Sequence, residues 1–282
     1  MSDLKFFSKH VPVKDKRVIV RLDLNVPITN SKIEDYTRIK VIEPFINQLI
    51  EDKAKVILLT HLGRPKGKFD LGLSLRPVFK YLEKMLKGKL FFYKENIDSR
   101  AIDASNKLNP GEVLLLENIR FFKEEENDDE NFARNLSKLG DIYINEAFSC
   151  SHRKQASIHT ITKFIDSYGG PGLKKEIDSI NLMIKNKKKP VTCIIGGSKV
   201  STKINILSKL LKIADNLVIV GAMANNFIMF KGINVGASVI EKGSEEKVKS
   251  INSLAEKYNC NIILPVDCNT STNIKGDDNY KL

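Results

Sequence analysis

Short apolar runs alternate along this chain with segments of helical period, which restricts the fold to a parallel sheet covered by helices. Residues 17–24 (RVIVRLDL), 56–60 (VILLT), 113–116 (VLLL) and 142–144 read as strands. Between the first two lies a helix over 37–53, with Ile39, Ile42, Phe45, Ile46, Leu49 and Ile50 at helical spacing. A second helix follows over 75–86, with Val78, Phe79, Leu82 and Leu86 on one face and Pro77 in its first turn. A third covers 130–139, after an acidic run (KEEENDDE) whose charge suits a solvated helix start.

The cluster Tyr168-Gly169-Gly170-Pro171-Gly172 breaks this series. An amphipathic helix over 173–185 follows, ending in the basic Lys187-Lys188-Lys189-Pro190. A second series then begins, with strands at 191–195, 217–220 and 261–264 and helices at 202–212, 223–231 and 244–258. A length of 282 residues suits two domains. We expect an N-terminal domain over 1–171, a connecting helix over 172–189 and a partial C-terminal domain over 190–282. Three strands make that second domain thin and marginal alone, and the polar stretch 269–282 closes nothing.

Five of the strands end in residues suited to an anion. They lead into Asp23 and Asn25, into His61-Leu62-Gly63-Arg64, into Asn118-Ile119-Arg120, into Ser151-His152-Arg153, and into Gly196-Gly197-Ser198-Lys199. Ligands of open α/β sheets bind outside the carboxyl ends of the strands. Guanidinium groups fork onto phosphate and carboxylate, so Arg38, Arg64, Arg120 and Arg153, with His61 as a further donor, suit a small polyanion. Asp23 and Asn25 suit its hydroxyls. In Gly197-Ser198-Lys199-Val200-Ser201-Thr202-Lys203 the strand–turn–helix order presents backbone N–H groups, and Lys199 and Lys203, four apart, are expected on one helical face toward phosphates. The spacing is not that of a P-loop. Gly221 and Ala222, after the next strand, permit close approach of a flat ring.

The formal net charge of +12 fits a lysine-rich surface, a polyanionic small molecule or nucleic acid. With no Trp and 7% aromatics, no stacking platform for RNA is evident. Cys150, Cys193, Cys260 and Cys268 make no CxxC and sit at no zinc-ligand spacing, so no metal is assigned to them and they read as thiols of a reducing compartment. The N-terminus carries no long apolar stretch and no run of 18 apolar residues occurs, which points to the cytoplasm and away from a membrane.

RLDLNVP, DYTRI, THLGRPKG, LLENIRF, AFSCSHR, GGSKVSTKI, GAMANNF and ILPVD, in this order, resemble the phosphoglycerate kinase family as far as Asp267. The resemblance implies two Rossmann-like α/β domains joined by a hinge helix, the second incomplete here. It implies reversible phosphoryl transfer between ATP and 3-phosphoglycerate, as in glycolysis, by a monomer, with Mg²⁺ accompanying the nucleotide. By matching motif, Asp23, Leu24, Asn25, Arg38, His61, Leu62, Gly63, Arg64, Arg120 and Arg153 would hold 3-phosphoglycerate. Gly197, Lys199, Lys203, Gly221 and Ala222 would meet the nucleotide, and Arg38, Lys199 and Lys203 would act on the transferred group. The sequence departs from the family at Gln155 (usually His), Glu146 (usually Asp) and Ala222 (often Gly). The family's Asn-Gly-Pro and Gly-Gly-Gly-Asp segments are not present, so the chain reads as cut short. A fragment that holds 3-phosphoglycerate without catalysing transfer is the alternative.

Overall fold

The computed structural model describes residues 4–185 and 189–271, so Lys187, Lys188 and the tail beyond 271 lie outside the described residues. The chain divides into two compact units, Met1–Ser179 and Ile180–Leu282.

The first unit runs β1 (Arg17–Arg21), a hairpin of β2 (Ile28–Thr29) and β3 (Lys32–Ile33), α1 (Thr37–Glu51), β4 (Lys55–Leu59), α2 (Arg76–Met85), β5 (Leu90–Tyr93) and α3 (Ser99–Asn106). It continues with β6 (Val113–Leu116), α4 (Lys123–Glu126), α5 (Glu130–Ser137), β7 (Ile142–Asn145) and β8 (Ser167–Gly169), and α6 (Pro171–Lys185) starts in this unit and runs past its end at Ser179. Six of these strands form a parallel sheet in the order β5-β6-β4-β1-β7-β8. The first strand is thus internal. Later strands are added on its β4 side and then on its β7 side. Connections diverge at β1, and that switch leaves a crevice at the carboxyl ends of the central strands.

The unbroken apolar runs follow from burial on both faces. Alternate residues feed two cores. Val18, Val20, Val56, Leu58, Val113, Leu115 and Ile144 pack under α1 and α2. Ile19, Ile57, Leu59, Leu114, Leu116 and Tyr143 pack under α3 and α5, through Ala101, Phe132, Ala133 and Leu136.

The sequence reading did not anticipate β5 or α3. LFFY carries the β-favouring aromatics, but it directly follows the turn-like Lys87-Gly88-Lys89. The start of α3 is marked by Asp98, whose side chain accepts the Arg100 N–H at 2.9 Å. β8 lies where the sequence suggested only a breaker cluster, because Tyr168 and Gly169 pair with Ile144 and Asn145 before the glycines turn the chain.

At that turn Glu146 reaches the start of α6, where its Oε1 accepts the Gly172 N–H at 2.7 Å. Burial pushes this carboxyl up to about 7, against the lowering effect of the Gly172 and Leu173 N–H groups. Its other oxygen is buried without a hydrogen-bond partner. A Cβ on Gly170 would come 1.9 Å from Glu146 Oε2, and one on Gly172 would come 2.3 Å from Oε1.

The second unit contains β9 (Thr192–Gly196), α7 (Ile204–Leu210), β10 (Asn216–Val220), α8 (Ala222–Phe230), α9 (Glu245–Lys257) and β11 (Asn261–Ile263). Its parallel sheet has the order β11-β10-β9. One face, with Cys193, Leu217 and Ile219, packs on Leu207, Met223, Phe227, Val248 and Ile251. On the other face Ile194, Val218 and Ile263 lie in register, with Ile194 72% exposed.

The single core of this unit is expected to unfold first on heating. Leu217→Ala, at a fully buried position, should lower only the earlier of two calorimetric transitions, by about 2–5 kcal/mol of unit stability. A single transition that moves as a whole would show instead that the units unfold together.

Candidate functional site

Loops after β1, β4, β6 and β7 meet at the switch in the first sheet and enclose a cleft of about 280 Å³. Asp23, Asn25, Arg38, His61, Gly63, Arg64, Arg120 and Arg153 all line it, together with Ser149 and Cys150. The adjacency of β4 and β7 to β1 accounts for this convergence, since each strand delivers its following loop to the same rim.

Asp23 organises the near side. Its Oδ2 accepts from the Ser149 hydroxyl and the Arg38 guanidinium, and its Oδ1 accepts the Asn25 N–H at 3.1 Å. Burial pushes the Asp23 carboxyl up. The Ser149 hydroxyl, the Asn25 N–H and the charge of Arg38 outweigh it and hold the carboxyl below its ordinary range. Arg38 sits in the first turn of α1 with its side chain about half exposed (49%), so it can bind Asp23 and still face a ligand. Asn25 Oδ1 accepts the Gly63 N–H at 2.8 Å, which fixes the two loops to each other and turns the Asn25 amide nitrogen to other partners.

His61 is buried, and its pKa falls to about 3: burial comes first, followed by the positive charges of Arg21 and Arg120. The ring is therefore neutral at any working pH. Arg21 Nη2 stands 3.4 Å from His61 Nδ1. A guanidinium can only donate, so Nδ1 accepts and the ring proton belongs on Nε2. Arg21 is itself fully buried. Its Nε donates to the Ser157 hydroxyl at 2.9 Å, and Ser157 Oγ donates to Glu125 Oε1 at 2.6 Å. Burial raises the Glu125 carboxyl, against Arg21 and the Ser157 bonds. Sequence reasoning passed over Arg21, Ser149 and Ser157. The available signal was a charged residue inside the apolar run RVIVRL.

Arg120 is buried at 3% exposure. Its Nη1 donates to the Gly63 carbonyl at 2.9 Å, while its Nε has no partner. Desolvation lowers its pKa from the ordinary arginine value. Arg64 and Arg153 line the cleft as exposed residues.

Leu24 and Leu62 do not line the cleft with their side chains. Both side chains belong to the core under α1. The Leu24 N–H donates to Thr60 Oγ1 at 3.0 Å and the Leu62 N–H to Asn118 Oδ1 at 3.2 Å. Their positions brace the loops on which the polar residues stand.

In the second unit, Gly197 and Gly221 come together. The Met223 N–H donates to the Gly197 carbonyl at 2.7 Å. Gly221 has φ of 69°, and a Cβ there would lie 3.4 Å from the Gly197 oxygen. Ala222 opens α8 directly after it. A Cβ on Gly197 would be 3.9 Å from Lys203 Cε, so the lysine stem passes over that glycine.

The expected shared helical face for Lys199 and Lys203 is not formed. α7 begins only at Ile204, and Val200–Lys203 make a turn closed by the Lys203 N–H to the Val200 carbonyl at 2.9 Å. The Ser201 N–H is taken by Glu241 Oε2 at 2.9 Å, so it is not open to the anion of a ligand as expected. Both lysines remain exposed on this loop.

These features define an α/β protein with a guanidinium-lined anion cleft at the carboxyl ends of its first parallel sheet. The sequence profile of the phosphoglycerate kinase family matches residues 8–281, and the chain belongs to that family. Phosphoglycerate kinase of Wolbachia pipientis subsp. Culex pipiens (strain wPip) is 45% identical over 259 residues, which cover 92% of this chain and 65% of the relative. That of Orientia tsutsugamushi (strain Ikeda) is 47% identical over 91% of this chain and 63% of its own length. The phosphoglycerate kinase structure from Coxiella burnetii is similar at TM-score 0.77 and 36% identity, over 94% of this chain and 67% of that one. The one from Pyrococcus horikoshii OT3 is similar at TM-score 0.79 and 28% identity, over 94% and 68%. The chain thus spans slightly under two thirds of the length of these two sequence relatives.

Proposed function

We propose that this chain carries the 3-phosphoglycerate site and part of the nucleotide site of a phosphoglycerate kinase, which transfers a phosphoryl group reversibly between ATP and the carboxylate of 3-phosphoglycerate. The observation that carries the reading is the cleft in the first unit. Four arginines, a neutral histidine donor and the Asp23–Asn25 pair are complementary to a ligand with one phosphate, one carboxylate and one hydroxyl. Arg38, Arg64, Arg120, Arg153 and His61 would hold the two anionic ends. Asp23 and Asn25 would take the hydroxyl. Gly63 gives the backbone room at φ of 61°. Lys199 and Lys203 would neutralise nucleotide phosphates and the group in transit, and Gly197, Gly221 and Ala222 would border the base. Phosphoryl transfer is mostly positioning and charge neutralisation, which such a residue set can supply.

Mg²⁺ belongs in this reading as the companion of ATP. Among the described residues, the candidate ion-binding group of His, Cys and acidic side chains is Asp23, His61 and Cys150. It does not fit a hard dication. Arg38 occupies Asp23, Arg21 faces His61, and a thiol is a soft ligand. The ion is therefore assigned to the nucleotide phosphates and to no residue described here.

We assign residues 1–171 to 3-phosphoglycerate, 172–189 to a hinge and 190–282 to the nucleotide, acting as a monomer in the cytoplasm. Two facts support the location. No helix among the described residues is long and apolar enough to cross a membrane. Cys150, Cys193, Cys260 and Cys268 are all free thiols. Small-molecule substrates are the partners in this reading, with no nucleic acid.

The chain of 282 residues lacks Asn-Gly-Pro and Gly-Gly-Gly-Asp segments. It is expected to bind 3-phosphoglycerate and to show little or no kinase activity by itself. Titration calorimetry with 3-phosphoglycerate, beside a coupled assay of ATP consumption, checks both halves. No heat of binding would refute the cleft assignment, and turnover like that of an intact relative would refute the fragment reading.

A further inference from the structure

Glu241 lies outside the glycine and lysine motifs of the second unit, and its surroundings tie it to the lysine loop. Its backbone is anchored to α8. Asn226, 1% exposed, accepts the Glu241 N–H at 2.8 Å and the Ser244 hydroxyl at 3.1 Å. The Asn226 amide nitrogen points back to the Met223 carbonyl at 3.3 Å. Just upstream, Asn225 Nδ2 donates to the Val239 carbonyl at 3.0 Å.

From this anchor the carboxylate reaches across to the loop. Oε2 accepts the Ser201 N–H at 2.9 Å. Oε1 lies 3.7 Å from Lys247 Nζ. Hydrogen bonds from Ser201, first the hydroxyl and then the N–H, hold this carboxyl below its ordinary range. The rest of the loop has two other fixed points. Val200 is fully buried in the core of the unit, and the Gly197 carbonyl accepts the Met223 N–H.

We infer that Glu241 is a positioning residue, whose carboxylate fixes the backbone of residues 199–203 so that Lys199 and Lys203 are held ready for the phosphates of a nucleoside di- or triphosphate. The inference rests on the nucleotide reading above. The physical case is one of preorganisation. Val200 is fixed by burial, but Lys199 and Lys203 flank it on exposed backbone. Lysine is a flexible point charge, so the loop itself must supply the precision. Glu241 provides it with a bond to the Ser201 N–H, in the middle of the segment, that would otherwise turn to water. Because α8 also begins at the Gly221 turn, the same helix sets both the lysine loop and the border of the base site.

The test uses Glu241→Ala and Glu241→Gln in the full 282-residue chain. ADP and adenosine are titrated into each, and amide hydrogen exchange is followed at residues 199–203. Glu241→Ala is expected to weaken ADP about tenfold, leave adenosine unchanged, and speed exchange at 199–203 by at least about tenfold. Glu241→Gln keeps one acceptor oxygen for the Ser201 N–H and should recover most of the ADP affinity. A role confined to stability would lower ADP and adenosine binding together and would overturn the inference. So would exchange at 199–203 that is unchanged in Glu241→Ala, whatever the nucleotides do. If wild type binds adenosine but gains nothing from the phosphates of ADP, the phosphate reading of the loop falls. Wild-type binding with an indifferent Glu241→Ala would remove only Glu241.

Discussion

Arg38→Ala, in a protein carrying the full length of its relatives, is expected to lower turnover about a hundredfold while the KM for 3-phosphoglycerate changes little. Arg38 stands in the first turn of α1, bonded to Asp23 on one side and open to the cleft on the other. The migrating phosphoryl group spreads its charge over three equatorial oxygens, and a donor already aimed at them needs no reorganisation during transfer. A preorganised donor lost at that stage costs on the order of 3 kcal/mol. The ground-state substrate would still meet Arg64, Arg120 and Arg153, so its affinity has other supports. Asp23 would also keep its bonds from Ser149 and Asn25. Steady-state kinetics separates the two effects. A raised KM with unchanged kcat would make Arg38 a binding residue only.

The second large effect concerns acidity and stability, where two groups work in opposite directions. His61 has its pKa lowered from 6.5 to about 3. The unfolded chain therefore takes up a proton that the folded chain refuses. Its contribution is complete above about pH 6.5 and is lost as pH falls toward 3. Glu146 has its pKa raised from 4.5 to about 7. Its contribution is complete below 4.5 and is lost as pH rises toward 7. Between about pH 4.5 and 6.5 the two slopes, each about 1.4 kcal/mol per pH unit, nearly cancel. His61→Asn should therefore leave a protein that loses stability as pH rises through this window. Glu146→Gln should leave one that gains it. Urea unfolding at about pH 5 and pH 6.5 reads both slopes. Wild type and variants with parallel profiles would show that neither group changes its protonation on folding.

The sheet and the arginine cleft were legible because both depend on order along the chain. Apolar runs separated by segments of helical period must become parallel strands. Residues placed just after such strands must share a rim, as Asn25, Arg64, Arg120 and Arg153 do. Other features depend on what is adjacent in space. Arg21 reads as one more basic residue until Ser157 and Glu125, more than a hundred positions away, close around it. Leu24 and Leu62 lie in the right loops, but strand alternation turns them into the core. The four-residue spacing of Lys199 and Lys203 implied a helix, and a long-range bond from Glu241 held the segment in a turn. β5 is as short as β6, but LFFY leads directly into no arginine or histidine that would single it out.

The carboxylate at the head of α6 also sets an order in which this sequence can change. Gly170 and Gly172 have no left-handed backbone that would demand glycine. What excludes larger residues there is the Glu146 side chain, whose oxygens fill the space a Cβ would take. Those oxygens cannot swing aside without giving up the Gly172 N–H. Alanine at 170 or 172 therefore comes at the expense of that bond unless position 146 has first shortened, for example to aspartate. Taken in reverse order, the same two steps pass through an intermediate that has lost it. Three positions that look independent along the chain are thus coupled, with a milder and a costlier path through them.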